Sequence, residues 1–137
     1  MLTRFAFLFL LSIYCPVLSL AQSVEILNQA KKEGEVILYT TMTVRDFEFF
    51  SKAAKEKYPF LNLRHVYLSS GRQVARVMQE FRAGRVQADV LGNSLEPLLY
   101  FKQQGVIGAY RSPESKNLLS GAWDPDGHWS GITTDLL

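Results

Sequence analysis

Three short polar stretches carry the side chains best suited to holding a solute: Thr40-Thr41-Met42-Thr43, Ser69-Ser70-Gly71-Arg72 and Gly92-Asn93-Ser94. Hydroxyls, a carboxamide and backbone N–H groups left open beside glycine can donate to the oxygens of a carboxylate, phosphate, phosphonate or polyol. The same residue types also cap helices, so capping explains any one stretch taken alone. The candidate contacts are Thr40, Thr41, Ser69, Ser70, Gly71, Arg72, Asn93 and Ser94, and their value as a set depends on a fold that brings them to one edge. Arg72 lies just inside a helix start, where the helix dipole disfavours a cation. A bound anion accounts for it, and so does a solvated arginine reaching a nearby carboxylate.

Other chemistry finds less support. The chain has no Gly-x-Ser-x-Gly, His-Glu-x-x-His, Gly-Lys-Ser/Thr phosphate loop or Gly-x-Gly-x-x-Gly. His65 and His128 are far apart and lack spaced Cys or His partners, so both read as incidental and no metal or other cofactor is expected. Asp124 and Asp126 alternate as calcium ligands can, but the loop after them is short and lacks the glutamate of an EF-hand. Asp89 and Arg85 read as structural, the aspartate being placed to bond loop backbone.

The elements that position these stretches follow from periodicity. Ser23 is expected to cap a first helix with Val24, Leu27 and Ala30 on one face, ended by Gly34 in a left-handed conformation. Val36-Ile37-Leu38-Tyr39-Thr40 has no polar alternation, as expected of a strand covered on both faces. Thr43-Val44-Arg45-Asp46 reads as a capping box, with Phe47, Phe50, Ala53 and Ala54 following until Tyr58-Pro59. The unit repeats as a strand over Leu61 to Leu68, a box at Ser70-Gly71-Arg72-Gln73, and Val74, Val77, Met78 and Phe81 on one helical face. A third unit has Ala88-Asp89-Val90-Leu91 as strand and Leu95, Leu98 and Leu99 as helix face before Gly105. Asp124-Pro125-Asp126-Gly127 is a turn that Trp123 and Trp129 bracket as a hairpin, and Asp135-Leu136-Leu137 resembles the start of a further strand. Successive strand-helix units predict the α/β class, a mainly parallel sheet with helices on both faces. Ligands of such sheets bind at the carboxyl ends of the strands, where all three polar stretches would lie.

The first 21 residues stand apart. Arg4, the Phe- and Leu-rich run from Phe5 to Cys15, Pro16 and the small residues Ser19 and Ala21 read as a secretory signal peptide expected to be cleaved before Gln22; the competing reading is an uncleaved N-terminal anchor, against which Pro16 and the small-residue site both speak. Cys15 is the sole cysteine and lies within that leader, so residues 22–137 depend on an apolar core rather than disulfides. The composition is 47% hydrophobic and 20% charged, which excludes a disordered chain, and the 137-residue length excludes a multidomain enzyme. A net charge of only +2, part of it from Arg4, gives no electrostatic reason to invoke nucleic acid or an anionic membrane.

Several segments together resemble the beginning of a bacterial extracellular solute-binding protein of the ferric-ion, thiamine and phosphonate group. They are Ala30-Lys31-Lys32-Glu33-Gly34-Glu35-Val36 with Tyr39-Thr40-Thr41, then Leu68-Ser69-Ser70-Gly71 with Arg76 and Glu80, then Ala88-Asp89-Val90. Tyr110-Arg111-Ser112-Pro113-Glu114 and the stretch Asp124 to Gly131 complete the set. The resemblance implies the N-terminal lobe of a type II periplasmic binding fold, with a second lobe beyond residue 137. It also implies a periplasmic, non-enzymatic protein, monomeric at full length, that delivers a small anionic or polar solute to an ABC permease. Its implied contacts are Thr41, Ser70, Gly71 and the vicinity of Asn93 and Ser94. Iron-binding members use a histidine and a glutamate in this lobe; here Thr41-Met42 and Ser69-Ser70-Gly71 stand in those loops, which argues against ferric ion. The competing reading is an exported α/β hydrolase with Ser70 as nucleophile, for which the sequence offers no base near that serine.

Overall fold

A computed structural model describes residues 17–132. The order of elements is α1 (Val17–Glu33), β1 (Glu35–Thr40), α2 (Val44–Lys57), β2 (Asn62–Tyr67), α3 (Ser70–Arg82), β3 (Val90–Gly92) and α4 (Leu95–Gln103), followed by a 3-10 turn at Pro113–Asn117. The three strands form an all-parallel sheet in the order β2-β1-β3. The expected α/β class is what the chain adopts. Most of the signal-peptide segment and the apolar end at Asp135-Leu136-Leu137 lie outside the described residues.

Local signals set most boundaries. Gly34 has φ 69° and its N–H bonds Ala30 O at 2.9 Å, ending α1 in the left-handed conformation that only glycine adopts without strain. Thr43 caps α2: its hydroxyl accepts from Asp46 N at 3.2 Å and donates to the Asp46 carboxylate at 2.7 Å. Two capping expectations are corrected. Ser23 lies inside α1, which begins six residues earlier in good helix formers such as Leu18, Leu20 and Ala21 and runs through the Ala21–Gln22 bond. The N-cap of α3 is Ser69 rather than Ser70, and its side chain makes no capping bond. Gln73, expected to close that box, turns into the core instead, because carbonyls of two strands end directly beneath it.

The core sits on one face of the sheet. Tyr39, Val77, Met78 and Phe101 are its buried centre, with Ile37, Val66, Leu68, Val74, Leu91 and Leu98 packed around them, so α3 and α4 cover this face. The other face carries Leu38, Thr40 and His65, and Phe47 of α2 stacks on the His65 ring at 4.2 Å between centroids. Leu38, Tyr39 and Thr40 are accordingly all buried, as a doubly covered strand requires. Three apolar expectations shift. Phe50 of α2 and Phe81 of α3 lie outside the core cluster and are partly exposed, and in α4 it is Leu98 with Phe101, not Leu95 or Leu99, that meets the core.

The path from β2 through α3 to β3 recrosses β1, while α2 lies on the opposite face. The β1/β3 boundary is therefore the topological switch point, the position at which α/β sheets open a crevice at their carboxyl ends.

Candidate functional site

Parallel pairing decides which loops meet. Thr40 is in register with Tyr67 on one side and Gly92 on the other, so all three strands end at the same level and the loops after them share one edge. The edge is tight at its centre. Thr41 N donates to Gly92 O at 3.1 Å, Leu68 N donates to Thr40 O at 3.0 Å, and a Cβ at Gly92 would come within 3.0 Å of Thr40 Cγ2. Glycine at 92 is thus favoured by close approach rather than by an unusual backbone angle.

The eight sequence-selected residues fall into two groups. Thr40 is buried with its hydroxyl engaged twice, accepting from Met42 N at 3.1 Å and pairing with His65 Nε2 at 2.9 Å. Burial pushes the pKa of His65 below its ordinary value, which favours the neutral ring in that pair. Asn93 is also engaged, donating to Gln73 Oε1 at 2.6 Å and accepting from Ser94 N at 2.8 Å. These two residues shape the edge.

Thr41, Ser69, Gly71, Arg72 and Ser94 are exposed and Ser70 is half-buried. Ser69 and Ser94 both sit at helix N-caps without making a side-chain cap bond. Arg72 has no ion-pair partner among the described residues, so the neighbouring carboxylate that a purely structural reading required is not found there. The space above Gly71 is open.

Three helix N-termini face this edge, and their first turns differ. That of α2 holds Asp46 and that of α4 holds Glu96, whereas that of α3 has no acid and carries Arg72. Free N–H groups and the positive end of the helix dipole favour an anion at all three, and the two carboxylates offset it at α2 and α4. The α3 turn, Ser69 to Arg72, is the most electropositive.

Gln73 was missed as part of this edge. It is completely buried; its Nε2 donates to Tyr39 O at 2.7 Å and to Gly92 O at 3.1 Å while its Oε1 accepts from Asn93. The signal was present: position 73 lies four residues before Val77, on the apolar stripe of α3, where a carboxamide needs partners in the interior.

A second polar cluster lies away from this edge. The expected hairpin is present, with Trp123 bridged to Ser130, Asp124 N bonded to Trp129 O at 3.0 Å and Gly127 N to Asp124 O at 2.8 Å. His128 is not incidental: its Nδ1 lies 3.0 Å from Asp124 Oδ2 and its N–H donates to the same oxygen at 3.1 Å. Ligand atoms of Asp124, Asp126 and His128 lie within 4.8 Å of one another, but Lys102 Nζ is 2.9 Å from both carboxylates and supplies the cation. Lys102 holds the Asp124 carboxyl at about 2, helped by His128 and opposed by burial. Asp89 is structural as expected, though it bonds strand rather than loop backbone: its carboxylate accepts from Ile37 N at 2.8 Å and its N–H donates to Ile37 O.

Fold and edge together define a small parallel α/β domain with polar groups free at its switch point. Comparison with known protein families and with curated proteins finds no match to this chain.

Proposed function

We propose that residues 22–137 form the N-terminal lobe of an exported solute-binding protein, whose sheet edge holds a small anionic or polar solute for import by an ABC permease. The observation that carries this reading is the edge itself: hydroxyls at Thr41, Ser69 and Ser70, without hydrogen-bond partners among the described residues, gather around α3, whose N-terminus alone of the three at this edge has no acid in its first turn. A carboxylate, phosphate or phosphonate oxygen matches these donors in charge and in hydrogen-bonding sense. Arg72 then serves as a counter-charge. The periplasmic location rests on the leader sequence, and the transport role rests on the family resemblance.

The hydrolase alternative gains nothing at Ser70. His65 pairs with Thr40 and stacks on Phe47, and His128 is bonded to Asp124. Neither histidine has its ring bonded to Ser70, as a nucleophile-base pair requires.

Calorimetric titration against inorganic phosphate, methylphosphonate, thiamine and ferric citrate tests the proposal. Binding of at least one anion, abolished by Thr41→Val combined with Ser70→Ala, is the expected result. Unchanged affinity in that double variant overturns the site, and ester hydrolysis lost on Ser70→Ala alone replaces the binding reading with an enzymatic one.

A further inference from the structure

Gln73 and Asn93 form a relay whose direction is fixed. Two carbonyl oxygens, of Tyr39 and Gly92, lie within bonding distance of one end of the Gln73 carboxamide, so that end is the NH2. Its oxygen is then left for Asn93, which must present its own NH2 at 2.6 Å and thereby turns its oxygen to the Ser94 N–H at 2.8 Å. One buried side chain on α3 thus grips the ends of β1 and β3 and sets the turn that starts α4.

We propose that Gln73 is the positioning residue of the solute site: it holds the β1 and β3 loops at fixed separation, so that Thr41, the α3 N-terminus and Ser94 meet one solute together. This rests on the reading of the carboxyl edge as a solute site. Gln73 touches no solute itself. It also removes Asn93 from the set of direct contacts, because both ends of that carboxamide are engaged within the relay. A residue that merely filled the core would be replaceable by an apolar side chain of equal length without loosening the loops selectively.

Hydrogen exchange by NMR on the full chain, paired with titration by inorganic phosphate, separates the possibilities. Gln73→Met keeps the length and removes all three bonds, and Asn93→Ala breaks only the second half of the relay. In Gln73→Met, exchange at the Thr41 and Ser94 amides is expected to rise about tenfold or more with Ile37 and Val77 still protected, and phosphate affinity to fall about tenfold. Asn93→Ala should free Ser94 alone, and Gln73→Glu, lacking the NH2, should not rescue. If Gln73→Met does not fold, Asn93→Ala carries the test. Unchanged exchange at Ser94 in that variant, a uniform rise across the chain in Gln73→Met, or loosened loops with undiminished phosphate affinity would each overturn the positioning role. Loosened loops in a chain whose wild type binds no phosphate would instead leave the relay standing and remove the solute-site reading.

Discussion

The carboxyl edge of the sheet and the C-terminal hairpin are both polar clusters, and they differ in what their polar groups are bonded to. In the hairpin, Asp124 is surrounded by Lys102 and His128, and the same lysine also reaches Asp126, so the charges are paired within the protein. At the edge, the inner groups of Thr40, Gln73 and Asn93 are satisfied, but the outer hydroxyls of Thr41 and Ser69 and the first turn of α3 find no side-chain partner among the described residues. The hairpin has more charge. The difference teaches that a cluster whose cation is already provided by a lysine acts as a clasp, whereas recognition needs donors that folding has left free.

The largest effect tests whether the two regions share one cooperative unit. Phe101 is fully buried on α4, the helix that starts at the edge and carries Lys102. Phe101→Ala should cost about 3–5 kcal/mol and loosen both regions in a single urea transition. Two separate transitions would mean that edge and hairpin fold independently.

Gly92→Ala strikes the edge alone. The added methyl meets Thr40 Cγ2 at 3.0 Å, and a loss of about 1–3 kcal/mol is expected in the same assay, together with weaker solute binding. Lys102→Met strikes the clasp alone. The Asp124 carboxyl lies at about 2 in the folded chain against an ordinary 3.8, so the stabilisation it provides is complete above its ordinary value and is lost as pH falls toward 2. Acid titration of stability should therefore show a decline between those values in the wild type, and the decline should shrink in Lys102→Met, where only the two His128 bonds to Asp124 remain, while solute affinity at neutral pH is kept. Reduced affinity there would join the two regions functionally and break the comparison. The smallest expected effect is Thr43→Ala, which removes the α2 cap for about 1 kcal/mol in thermal denaturation.

What was legible in the sequence follows a physical divide. Local chemistry read through: the unbroken apolar run of β1, the Thr43–Asp46 cap and the hairpin between the tryptophans all depend on neighbours close in the chain. Roles set by distant partners did not. Lys102 becomes a clasp only because the hairpin folds onto α4, and Gln73 becomes a strut only because β1 and β3 both end beneath it. The start of α3 was displaced by one residue because Ser69 and Ser70 are equivalent as caps until the path of the backbone chooses between them. Of the candidate site, the three loops and their shared edge were legible from topology, whereas the division between engaged and free side chains required side-chain geometry.

The central claim is that solute is held at the carboxyl edge. Mapping backbone amide shifts while inorganic phosphate is added tests it most directly. The account predicts the largest shifts at Ser70, Gly71 and Arg72, a smaller one at Thr41, and none at Asp124 to His128. Shifts centred on the hairpin, or no shift at the α3 turn at saturating phosphate, would contradict it.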